Sequence, residues 1–199
     1  EKVCVVKNSN DLKLYFKALF NETGWNSVFL KPMQGERGTG CFKVHRDKVE
    51  SIDAELTNTL LTNSYIHQEV IQQHEAINQI NPNCVNSIRI ESFKDKWGVG
   101  HALNAYLKIG DDKEIVDNAS SGGFWVEIDI EAGKLKGMGH QNMEYGGAEF
   151  PLHPVSKIKF DGFEIPFFKE MMALFERASS YFPHRILGWD IAISIEGPT

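Results

Sequence analysis

Apolar residues recur at Leu12, Tyr15, Phe16, Leu19 and Phe20, the three-and-four spacing of one helix face, with Ser9 or Asn10 as a cap and Gly24 as a stop. That spacing predicts a helix, preceded by a short strand over residues 2–6. Val28-Phe29-Leu30 and Cys41-Phe42-Lys43-Val44 read as strands on either side of a tight turn from Gly35 to Gly40, and a helix is expected over residues 47–61. Beyond it the pattern is strand-like at residues 65–71, 85–90, 99–107, 125–130, 134–138 and 185–195. Turns fall at Gly110-Asp111-Asp112 and Glu131-Ala132-Gly133. Pro166 fits the first turn of a helix running to about Tyr181, with Met171, Met172, Leu174, Phe175 and Ala178 on its buried side. There is no fixed-period repeat and no low-complexity tract. The elements define a mixed α+β protein whose middle region is an antiparallel sheet.

The 199 residues suffice for one substantial core or two small lobes. Apolar residues at 42% and charged residues at 24% fit a folded globular chain and exclude disorder, collagen and coiled coil. No apolar run reaches the roughly 20 residues of a membrane span, and no secretory leader opens the chain. Glu1 at the start and Thr199 directly after a strand-like run give both ends the look of cuts through something longer. A formal charge of −6 disfavours a nucleic-acid partner and restricts any anionic ligand to a few local cations or a divalent metal. Cys4, Cys41 and Cys84 are odd in number and far apart, which points to a reducing compartment and hence the cytoplasm.

Chemistry concentrates in five places. Gly35, Gly38 and Gly40 let backbone N–H groups converge as they do around phosphate, with Lys31 at the end of the preceding strand; the same hairpin also fits a plain turn beside a solvated lysine. It is neither a P-loop nor a dinucleotide fingerprint, because strand rather than helix follows Gly40. Glu69, Val70 and Ile71 end an extended run that can offer main-chain groups to a flat base, or simply form a polar edge strand. Arg89 alternates with Ile88 and Ile90 and can grip a phosphate or carboxylate, or make a surface salt bridge. Asp190, within the apolar run Ile186 to Ile193, needs a cation or several hydrogen bonds to offset desolvation, which either Mg²⁺ or a structural salt bridge supplies. The loop around Asn118, Gly122 and Gly123 is small and flexible, suited to hugging a ligand or merely to turning. Seven histidines show no zinc spacing, and no nucleophile motif is present.

In chain order these segments resemble the ATP-grasp superfamily, most closely the sugar-transfer-associated ATP-grasp group found with polysaccharide-biosynthesis proteins. The resemblance rests on Phe29-Leu30-Lys31-Pro32 with the three glycines, and on the run His67 to His74. It continues through Asn83-Cys84-Val85-Asn86-Ser87-Ile88-Arg89, Val116-Asp117-Asn118 with Gly122-Gly123, His153-Pro154, Ile165-Pro166 and Gly188-Trp189-Asp190-Ile191-Ala192. It implies an ATP-grasp fold of two α+β lobes, residues 1–70 with the phosphate hairpin and residues 71–199, clamping a nucleotide. It further implies Lys31, Gly35, Gly38, Gly40, Glu69, Val70 and Ile71 as ATP contacts, Lys31 and Arg89 as catalytic cations, and Asp190 as a Mg²⁺ ligand. A Glu-x-Asn strand completing the metal site would follow Thr199, and a further domain would precede Glu1. The implied activity is ligation through an acyl phosphate, in cell-surface polysaccharide or peptide modification. Phosphotransfer to a small or sugar acceptor, or a non-catalytic nucleotide-binding role, are the alternatives. Asn118, Gly122, Gly123, His153 and Lys157 are the expected acceptor contacts, the acceptor being a small or sugar-linked molecule.

Overall fold

The computed structural model describes residues 5–34, 39–111, 117 and 122–199. Its contacts divide the chain into two compact units, Glu1–Val70 and Ile71–Thr199.

The first unit opens with helix α1 (Ser9–Thr23). Its N-cap is Asn8, one residue before the expected cap, with the side-chain oxygen accepting the Asp11 N–H; Gly24 closes the helix at φ 75°. Leu12, Phe16 and Phe20 are its buried stripe. Of the strand expected over residues 2–6, Val5 and Val6 are described and belong to no strand, because the chain must enter the cap at Asn8. Strands β1 (Ser27–Pro32), β2 (Phe42–His45) and β3 (Tyr65–Glu69) form an antiparallel sheet in the order β2-β1-β3. Val28, Leu30 and Val44 pack on the α1 stripe and on Val49, which is the unit's core.

The single helix expected over residues 47–61 is two pieces. A 3-10 turn spans Arg46–Ser51, and α2 (Ala54–Thr62) starts anew behind Asp53. Asp53 takes an extended conformation, and its carboxylate accepts the Leu56 N–H at 2.7 Å, so the residue caps the second helix instead of continuing the first.

The second unit begins with α3 (Glu75–Ile80), a short helix that the residue pattern did not announce. There follow β4 (Ser87–Lys94), β5 (Gly100–Ile109), β6 (Phe124–Asp129), β7 (Lys134–Gln141), β8 (Glu149–Phe150), helix α4 (Phe168–Tyr181), β9 (Ile186–Ser194) and β10 (Gly197–Pro198). The strands form one antiparallel sheet in the order β10-β9-β4-β5-β6-β7-β8. Pro166 lies before α4 rather than in its first turn: Phe167, at φ 53°, is the N-cap.

Alternation places Ile88 and Ile90, Ala105, Leu107 and Ile109, and Phe124, Val126 and Ile128 on one face of the sheet, under Met171 and Phe175 of α4. Glycine at 100 permits this close packing, since a Cβ there would stand 2.4 Å from the Ser179 hydroxyl of α4. The opposite face of the central strands carries the polar members of the alternation.

Candidate functional site

Arg89 and Asp190 are Cα partners in the β4–β9 ladder, so the sheet register itself sets them side by side. Arg89 Nη1 donates to Asp190 Oδ2 at 3.0 Å. From β5, Lys108 brings its ammonium to 3.1 Å from the other oxygen, Oδ1. The same ammonium stands 3.6 Å from Asp117 Oδ2, an oxygen that also accepts the Ser87 N–H at 2.7 Å and the Ser87 hydroxyl. Three adjacent strands and one loop thus converge two cations and two carboxylates on one patch of the polar face.

A glycine makes room for this arrangement. A Cβ built on Gly188 would stand 2.2 Å from Nη2 and 2.4 Å from Cζ of Arg89, so the guanidinium lies against bare backbone two residues before Asp190. Beside it, Tyr106 faces Arg89 across the β4–β5 ladder. Burial first, and then the Glu91 carboxylate, push the Tyr106 hydroxyl above the ordinary phenol value, opposed by Arg89 and Lys108. Trp125 follows on β6, its ring 5.7 Å from Tyr106 and 4.8 Å from His140 of β7. The polar face therefore runs from a charged cluster to an aromatic row.

In the first unit, Lys31 lies at an exposed β1 position opposite Ile66, with its ammonium 5.7 Å from the Phe29 ring centroid. Cys41 is close enough for Lys31 to pull its thiol pKa down, but burial is the larger effect and holds the thiol above its usual value. A protonated thiol is a poor nucleophile, so nothing here argues for covalent catalysis. Gly40 turns the chain at φ 76° ahead of β2. Glu69 ends β3, opposite Val28, which by register sets it on the other face of the sheet from Lys31. β3 is an edge strand, so one side of its backbone is open as Val70 and Ile71 are reached.

The loop residues are placed differently. Gly122, at φ 92°, offers its carbonyl to Gln141 Nε2 at 2.9 Å, and Gly123 leads directly into β6. His153 is only 1% exposed, and its Nδ1 accepts the N–H groups of Val155 and Ser156 at 3.3 and 3.1 Å, which fixes the turn that follows it. Lys157, in the left-handed region at φ 62°, folds its ammonium back onto the Pro154 carbonyl. Gly35, Gly38 and Asn118 lie outside the described residues.

The structure thus joins Arg89 to Asp190 directly, and gathers His153 and Lys157 into one turn. Sequence reasoning passed over Lys108 as a site residue, and Gly188 as the position that seats Arg89. The signal for Lys108 was present: it alternates with Leu107 and Ile109 as Arg89 does with Ile88 and Ile90.

Two α+β units, one on a three-stranded and one on a seven-stranded antiparallel sheet, are consistent with the ATP-grasp fold. The chain belongs to the family described as sugar-transfer associated ATP-grasp, whose sequence model matches residues 5–199. Among curated proteins, none matches the chain. Family membership carries ATP-dependent, ligase-like chemistry in general terms, and such enzymes use ATP with, typically, Mg²⁺. No helix among the described residues is long and apolar enough to cross a membrane.

The donor set bears on that metal. Among the described residues, no group of three or more His, Cys, Asp or Glu side chains could hold an ion by itself. Asp190 is 47% exposed and offers a single carboxylate. That fits Mg²⁺ in the role it commonly takes with nucleotides, held by one or two carboxylates, waters and phosphate oxygens, and it does not fit a stand-alone metal cage.

Proposed function

We propose that the protein is an ATP- and Mg²⁺-dependent ligase that activates a carboxylate as an acyl phosphate for attack by an amine or similar nucleophile. Its acceptor would be a small or sugar-linked molecule in cell-surface polysaccharide or peptide modification. The observation that carries this reading is the placement of Asp190 between Arg89 and Lys108 in a chain of the ATP-grasp family. A reaction that moves a phosphoryl group to a carboxylate needs cations where negative charge gathers, and it needs no protein nucleophile.

In this reading each unit has its own task. In Glu1–Val70, Lys31 and the glycines of the hairpin bind phosphate, while Glu69 and Val70, followed by Ile71 at the start of the second unit, present main-chain groups and a carboxylate to adenine and ribose. In Ile71–Thr199, Asp190 holds the metal and Arg89 orients the transferred phosphoryl group or the acceptor carboxylate. Magnesium, when bound, offsets the charge of the transferred phosphate. Gly122 and Gly123, with Asn118, are nearest in sequence to Asp117 and are the preferred acceptor contacts, with Lys157 acting from the turn that buried His153 holds in place. ATP use places the work in the cytoplasm.

Product analysis tests the assignment. Carboxylate-bearing sugars and amino acids are screened for acceptor-dependent ADP release, with hydroxylamine present as the trapping nucleophile. A ligase yields a hydroxamate from the trapped acyl phosphate. A stable phosphorylated acceptor without hydroxamate would instead assign phosphotransfer.

A further inference from the structure

The two carboxylates that share Lys108 are unequal. Asp117 is 13% exposed, and its Oδ2 is fixed by the Ser87 N–H at 2.7 Å and by the Ser87 hydroxyl. Asp190 is 47% exposed, and its two oxygens face the side chains of Arg89 and Lys108. The ammonium therefore stands between a pinned carboxylate and an open one, 3.6 Å from the first and 3.1 Å from the second.

The charges of Arg89, Lys108, Asp117 and Asp190 cancel. A neutral cluster has no net charge to draw a dication from a distance, and Asp190 already has a cation at each oxygen. A metal at the remaining lone pairs of Asp190 would stand close to both cations, and the repulsion displaces whichever of them is freer to move. Arg89 is the poorer candidate, because its guanidinium is seated over Gly188 and its Cα is paired with that of Asp190 in the β4–β9 ladder. Lys108 carries a compact charge on a flexible four-carbon stem, and a second anion, Asp117, is already within reach.

We propose that Lys108 is an exchangeable counter-ion: it occupies the metal's place at Asp190 in the metal-free protein and shifts onto Asp117 when a divalent cation arrives with its polyphosphate. This rests on the reading of Asp190 as the metal carboxylate. A dication added to the neutral cluster leaves two uncompensated positive charges, which phosphate oxygens offset. Metal alone then binds poorly and metal with nucleotide binds well, so the lysine makes the site selective for the pair.

The test is a Mn²⁺ titration of the full chain read by electron paramagnetic resonance, with Mn²⁺ alone and with Mn²⁺ plus ADP. Lys108→Met removes the charge and keeps the stem, and is expected to tighten binding of Mn²⁺ alone by roughly ten-fold while narrowing its difference from Mn²⁺ plus ADP. Adding Asp190→Asn to that variant should abolish the gain. Unchanged or weaker Mn²⁺ binding by a natively melting Lys108→Met protein would overturn the inference. If Asp190→Asn alone weakens Mn²⁺ binding while Lys108→Met changes nothing, the inference falls and the metal assignment stands; if Asp190→Asn has no effect, both fall. Lys108→Gln carries the same expectation should the methionine variant not fold.

Discussion

Gly188 shows how one missing side chain can serve chemistry more than stability. A Cβ there would collide with the far end of Arg89, a flexible side chain, and not with backbone. Gly188→Ala is therefore expected to cost less than about 1 kcal/mol of folding stability, the range of changes that create neither a cavity nor a buried unpaired group. It should nevertheless swing the guanidinium off Asp190 and reduce acceptor-dependent ADP release about as far as Arg89→Ala does. Equal melting temperatures with turnover reduced by roughly ten-fold or more, for a charge-assisted contact made in the reacting complex, is the expected pattern. Full turnover in Gly188→Ala would show that the seat is irrelevant.

Asp190 and Arg89 were legible because each interrupts an apolar run at a position where alternation demands an explanation. Lys108 shows the same alternation, but a lysine alternating along a strand is the commonest solvated face, and only the three-strand register reveals the two carboxylates at its tip. His153 carries the opposite lesson. A histidine followed by proline gives no hint of burial, yet its Nδ1 holds two successive N–H groups inside the fold.

Single side chains also decided where elements start and stop. Asp53 splits what periodicity joined, because residues on both sides of it keep helical spacing while its own carboxylate captures the Leu56 N–H. Strands were located well and their ends less so, which is expected where pairing partners set the ends. The β4–β5 ladder slips between Glu91 and Ser92, a bulge that no single-strand pattern encodes.

The turn joining β4 to β5 offers a pH test. Asp95 accepts the N–H groups of Trp97 and Val99, each at 2.9 Å, and pairs with His101 Nε2 at 2.9 Å. The hydrogen bond from His101 first, then that from Val99, holds its carboxyl below the usual value. A depressed carboxylate stabilises the turn fully above the unfolded-chain value of about 3.9, and that stabilisation is lost as pH falls through the lower folded value. Hydrogen-exchange protection of the Trp97 and Val99 amides is expected to fall over that acidic window. Protection that stays constant there would mean the backbone alone holds the turn.

The molecule as a whole carries a formal charge of −6, so the cations at Lys31, Arg89 and Lys108 draw an anion only at short range. The α+β class and the order of segments were readable because the motifs are local and arrive in one sequence. What joins them is not local: Arg89 and Asp190 are 101 residues apart and meet only through β4–β9 pairing. The two compact units have separate cores, one built on α1 and one under α4.

Calorimetry of Mg-ATP binding to the full chain, with Lys31→Ala and Asp190→Asn run in parallel, therefore probes one residue from each unit. Micromolar binding that both substitutions weaken, each by roughly ten-fold or more for a lost charge-assisted contact, is the outcome expected of an ATP-grasp enzyme. No binding by a demonstrably folded protein, or binding indifferent to both substitutions, would contradict the assignment of the site.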